Sequence, residues 1–175
     1  DVAHSGLKTS YDAALSSDKP MVISHSTCAS LNQHARAKTD EVIRAVVDTG
    51  GYMGICCIPA FLGLSGDLQA MLDHIDYMAN TFGVDHIAIG TDVAYNPPPK
   101  GPAINRAKSR SRWEALWPDD AFPEKYKDKR MSESMAWTNW PLFTVGMVQR
   151  GYSDDDIQKI LGGNVMRVAR ACFPF

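Results

Sequence analysis

Two rhythms of apolar residues alternate along the first half of the chain. Short unbroken runs, Met21-Val22-Ile23, YMGICCIPAF (52–61) and Ile87-Ala88-Ile89, suit strands buried on both faces, and DVAH at the start reads as the last part of another. Between them the spacing becomes helical. Leu7, Tyr11, Ala14 and Leu15 recur at i, i+4, i+7 and i+8, and Val42, Ile43, Val46 and Val47 follow an opening Thr39-Asp40-Glu41 and end at Gly50-Gly51. A longer amphipathic helix is predicted from about Asp67 to Phe82, with Leu68, Met71, Leu72, Ile75 and Met78 on one stripe. The order β-α-β-α-β-α-β predicts parallel strands joined by right-handed crossovers, hence an α/β sheet or barrel.

The stretch 95–131 interrupts that rhythm. It holds NPPPKGP, then Lys100, Arg106, Lys108, Arg110 and Arg112 with no acid among them, then Trp113 and Trp117. An insertion this long is either a solvated loop, a cover over a site at the strand ends, or a subunit contact. Helical patterning resumes from Ser132. Ser153 is placed to cap a helix through Asp154–Asp156, and Gly162-Gly163 separates two short helices.

Bulk properties narrow the class. With 175 residues, 45% hydrophobic and 22% charged, the chain is one globular unit with ample core, and a net charge of -2 gives no field for nucleic acid or an anionic membrane. No apolar run approaches the ~20 residues of a membrane span. Cys28, Cys56, Cys57 and Cys172 show neither CxxC spacing nor disulfide-scaffold density, so reduced structural thiols are expected. The opening DVAHSG, with no initiator Met, reads as a piece of a longer polypeptide, and the compartment is not decidable from it.

Chemistry gathers where the strands stop. DVAHSG ends on His4, MVISHS on His25 and IAIGTD on Asp92, and a parallel α/β barrel puts all such ends on one face. A single histidine at a strand end is commonly satisfied by a backbone group; two histidines and an aspartate at successive ends point to a metal. Neutral imidazole is a good zinc ligand, but a catalytic zinc takes three protein ligands and a water, so a further ligand is needed. Asp92 has two options there, ligand or acid/base group. Arg36, near His34, is either a surface ion-pair member or a bidentate clamp for a carboxylate. His74, on the long helix, and His86, at the amino end of a strand, are read as structural.

In order and with matching gaps, DVAHSG, KPMVISHS, HARAKTDE, DTGGYMGI, LDHIDYMANTFGVDHIAIGTD and RGYSDDDIQKILGGNVMRV resemble the C-terminal half of the membrane (renal) dipeptidase family of zinc metallopeptidases. His25 follows His4 by 21 positions and Arg36 follows His25 by 11. The resemblance implies a metal-dependent hydrolase of (β/α)8, TIM-type barrel fold. Two zinc ions, bridged by a carboxylate and a water or hydroxide, would hydrolyse the peptide bond of small dipeptides. By the same resemblance His4 and His25 match ligands of the second zinc, Arg36 the residue that holds the substrate's terminal carboxylate, and Asp92 the group that moves a proton at the scissile bond.

Departures from the family pattern concern the pocket. Val93-Ala94-Tyr95 follows Asp92 where Phe-Asp-Gly is common, Ala37 stands where an asparagine often follows the clamp arginine, and an aromatic is replaced within Cys56-Cys57-Ile58. The family's His-x-Asp pair, bridging glutamate and a further substrate-binding histidine belong to its N-terminal half. We therefore expect residues 1–175 to be a single unit comprising strands five to eight with their helices, 95–131 an inserted loop, the other half of the barrel supplied from outside this sequence, and the complete protein a homo-oligomer. Two other readings keep the same frame: hydrolysis of another amide or a lactone, and a binding homologue without activity.

Overall fold

A computed structural model of the protein describes residues 1–93 and 116–173. Its centre is a three-stranded parallel sheet of order β1-β2-β3, formed by β1 (Val22–Ser26), β2 (Tyr52–Ile55) and β3 (Ile87–Ile89). Ile23 aligns with Met53, and Met53 with Ile87, so one row of the sheet is apolar across all three strands. Each of these side chains is essentially solvent-free, as expected for strands covered on both faces.

Helix α1 (Leu7–Leu15) precedes β1, α2 (Asp40–Asp48) crosses from β1 to β2, and α3 (Pro59–Leu62) with α4 (Leu68–Phe82) crosses from β2 to β3. The caps follow the sequence. Asp67 accepts the Gln69 and Ala70 N–H groups at the start of α4, and the positive φ of Gly83 follows its last residue. The stripe Met71, Ile75 and Met78 lies fully buried against the sheet.

After residue 115 come α5 (Lys129–Ser134), α6 (Pro141–Gln149), α7 (Asp154–Gln158) and α8 (Asn164–Cys172). Ser153 caps α7 by accepting the Asp156 N–H, and the break between α7 and α8 falls at Gly162. The last helix is fastened under the amino ends of the strands. Asn164 Nδ2 donates to the carbonyls of Val84 and Ile87, and Arg167 donates to those of Gly50 and Asp85.

Two expectations about histidines hold. His74 is buried, accepts the Cys28 N–H on Nδ1 and donates from Nε2 to Leu62 O; His86 pairs through Nδ1 with Gly51 O. The thiols are all free. One expectation needs correction: residues 1–4 are not a strand. Val2 N–H reaches Val22 O, but the Asp1 carboxylate accepts the Ala3 N–H and Ser5 N–H turns back to Val2 O, so the chain bends instead of extending beside β1. Of the expected insertion, residues 95–115 lie outside the described residues.

Candidate active site

The carboxyl ends of the strands approach one another closely because two glycines allow it. A Cβ on Gly54 would stand 2.1 Å from Ser24 O, and one on Gly90 would stand 1.9 Å from the same oxygen. Beyond the regular ladder, Cys56 N–H bonds Ser26 O and Cys57 N–H bonds Thr91 O, which carries the pairing up to Asp92. Asp92 itself has φ 55°, a left-handed conformation that aspartate tolerates better than most residues and one typical of strained functional positions.

Three of the four predicted site residues meet there. His4 Nε2 and His25 Nε2 are 2.9 Å apart with their rings edge-on, and Asp92 Oδ1 is 3.5 Å from His25 Nε2. The tautomer of His25 follows from its other side. Ser24 Oγ has one proton, donated to Asp1 Oδ2 at 2.6 Å, so at 2.8 Å it can only accept from His25 Nδ1–H. That leaves a lone pair on His25 Nε2, and His4 supplies the proton between the two nitrogens. Asp1 is fixed in turn by the N–H groups of Ala3 and Ser24.

Burial lowers the His25 pKa from its ordinary value; the Asp92 carboxylate opposes this, while Arg36 and His4 add to it. The ring is therefore neutral at physiological pH. A neutral imidazole with its outer nitrogen fixed by a hydroxyl–carboxylate pair is the arrangement seen behind metal-binding histidines. The residues fit a divalent cation in donor type: it would take the place of the proton shared by the two Nε2 atoms. Among the described residues no group of three or more His, Cys, Asp and Glu side chains is arranged to hold a metal ion, so two nitrogens are what these residues offer.

Arg36 stands on the loop after β1, with its carbonyl accepting from Ser26 Oγ and its N–H donating to His34 Nδ1. Its Nη2 donates to Ala3 O at 3.3 Å, its guanidinium carbon lies 5.5 Å from the centre of the Phe61 ring, and its Nε is buried with no partner. A buried guanidinium nitrogen without an acceptor is a ready half of an anion site. The 116–131 segment closes over this side. His34 Nε2 donates to Ala121 O, and Phe61 packs between His34 and Trp117.

Sequence reasoning passed over Asp1, Ser24, Gly54 and Gly90. The glycines had a readable signal, since an isolated glycine within a strand marks close backbone approach. Asp1 and Ser24 had none, because their role depends on a contact across 23 positions.

A family model described as membrane dipeptidase (peptidase family M19) matches residues 1–102. Among curated proteins the chain is similar to dipeptidase ataJ of Aspergillus terreus, 29% identical over 174 residues that cover 97% of this chain and 35% of that protein. It is also similar to dipeptidase verJ of Clonostachys rogersoniana, 26% identical over 169 residues, covering 96% and 36%. The chain thus spans about a third of the length of these relatives. Among solved structures, an amidohydrolase from Pseudomonas aeruginosa superposes with a TM-score of 0.71 at 27% identity, over 97% of this chain and 50% of that one. A metallo peptidase from Rhodobacter sphaeroides, liganded with a phosphinate mimic of the dipeptide L-Ala-D-Ala, superposes with a TM-score of 0.69 at 20% identity, over 99% of this chain and 42% of that one; at that identity the likeness concerns the fold.

Proposed function

The chain belongs to the membrane dipeptidase family, peptidase family M19, and from that premise we propose that it carries part of the active site of a zinc-dependent dipeptidase. In this reading the three-stranded sheet is strands six to eight of a (β/α)8 barrel, the turn at residues 1–5 stands where strand five ends, and further polypeptide supplies the remaining strands and metal ligands. The observation that carries the proposal is the meeting of His4 Nε2 and His25 Nε2 at 2.9 Å with the Asp92 carboxylate beside them.

His4 and His25 would hold one ion of a zinc pair through those nitrogens, with Ser24 and Asp1 keeping the His25 ring in the ligating tautomer. When bound, zinc supplies Lewis acidity to the peptide carbonyl and a water acidic enough to act as nucleophile near neutral pH. Asp92, at the edge of the histidine pair, takes up a proton and delivers it to the leaving amine. Arg36 orients the substrate by accepting its terminal carboxylate onto the guanidinium, whose Phe61 side keeps water away. The products are two free amino acids.

The experiment is a turnover assay of the complete protein, loaded with zinc, on L,L- and L,D-dipeptides. Metal-dependent cleavage that falls ~100-fold or more in Asp92→Asn is expected. Preferred hydrolysis of lactones or acylated amines, or turnover indifferent to Asp92, would sink the assignment.

A further inference from the structure

Next to Asp92, a cavity of about 560 Å³ opens between the ends of β2 and β3 and the turn that follows α5. That is within the usual range for a small-molecule pocket. Its walls are Ile58, Pro59 and Cys57 from the β2 end, Val93 from the β3 end, and Met135 and Trp137 from the turn. Cys57 and Met135 are 2% and 1% exposed, so the floor belongs to the packed core and keeps its shape. Among the described residues the polar lining is Asp92, Ser132 and Thr138, with no lysine, arginine or histidine.

Chemistry ties this cavity to one part of the substrate. To protonate the leaving nitrogen, Asp92 must come within ~3 Å of it. That nitrogen is bonded to the Cα of the C-terminal residue, whose side chain therefore begins beside Asp92. The side chain of the N-terminal residue lies beyond the carbonyl carbon, toward the histidines, and neither histidine lines the cavity. Resting on the dipeptidase reading, we propose that the Ile58–Val93–Met135–Trp137 cavity receives the side chain of the dipeptide's C-terminal residue and selects a bulky apolar one. An apolar wall gains free energy with each methylene that leaves water, whereas an acidic side chain would be buried among apolar walls beside the Asp92 carboxylate.

The test compares kcat/KM of the complete zinc-loaded protein on Gly-Leu and Gly-Phe with Leu-Gly, Phe-Gly, Gly-Gly and Gly-Asp. Gly-Leu and Gly-Phe are expected to exceed the other four by at least ~10-fold. In Ala136→Phe, which fills the cavity from its edge, the ratio of Gly-Leu to Gly-Gly should fall toward one. If that variant does not fold, Thr138→Phe, from the exposed rim, makes the same test. Equal rates on Gly-Leu and Leu-Gly, or a ratio unmoved by a folded filling variant, would overturn the selection while leaving dipeptidase activity intact. No cleavage of any dipeptide would overturn both.

Discussion

His4 Nε2 lies 2.9 Å from His25 Nε2, a separation that two imidazoles reach only with a shared proton or cation between them. Ser24 decides which nitrogen of His25 is free, because its single hydroxyl proton goes to Asp1. Ser24→Ala is therefore expected to weaken zinc binding in the complete protein about 10- to 100-fold while the fold persists. A competition titration with a zinc chelator measures this. Unchanged affinity would remove Ser24 and Asp1 from the site.

Arg36 offers a second measurement. Its Nε is buried and unpartnered and its guanidinium faces Phe61, so loss of the head group should leave a substrate carboxylate without its partner. Truncating one member of such a pair costs roughly 2–5 kcal/mol, so Arg36→Ala should lower kcat/KM on a dipeptide by ~30-fold or more. A dipeptide amide, lacking the carboxylate, should lose far less. Arg36→Lys is not expected to restore activity, since an ammonium cannot reproduce the planar fork. Equal losses on acid and amide substrates would show that Arg36 acts on the fold instead.

How far the sequence reaches is clear from these same residues. Periodicity and caps marked α1, α2, α4 and the three strands because each depends on neighbours a few positions away. Strand-end placement picked out His4, His25 and Asp92 as candidates, with Arg36 on the following loop, and the family resemblance gave them roles, though neither could show that two imidazoles would face each other. Residues 1–4 read as strand because Val2 and Ala3 are apolar; the deciding force is the Asp1 carboxylate, which gathers the N–H groups of Ala3 and Ser24. The cavity beside Asp92 was equally hidden, since Met135 and Trp137 come from a segment more than 40 positions downstream.

His74 separates structure from chemistry. Its ring satisfies the Cys28 N–H and the Leu62 carbonyl inside the core, so His74→Leu leaves two buried groups unpaired and should cost ~2–4 kcal/mol without altering zinc affinity. Burial lowers its pKa from 6.5. The sign follows: above 6.5 both folded and unfolded rings are neutral, and as pH falls from 6.5 toward the lowered folded value the unfolded chain takes up the proton first, so stability drops. The stability difference between the parent and His74→Leu, read from urea midpoints, should therefore shrink on acidification. A difference that stays constant from pH 7 to pH 5 would contradict it.

Lys38 gives the opposite end of the pH scale. It is 2% exposed, and its Nζ donates to Ser5 O and Ser10 Oγ, tying the turn that carries His4 to α1. Burial, with the Arg36 charge nearby adding to it, brings its pKa from 10.5 to about 8. Between those values the unfolded chain holds one more proton than the folded one, so stability should rise with pH across that window, by on the order of 3 kcal/mol at most. Lys38→Met removes the titration, and the gap between parent and variant stability should widen from about pH 8 to about pH 10. Because Ser5 adjoins His4, the same substitution should also loosen the zinc site. Parallel pH–stability curves for the two proteins, or zinc affinity untouched by Lys38→Met, would mean that the amine is solvated and the His4 turn is held by other contacts.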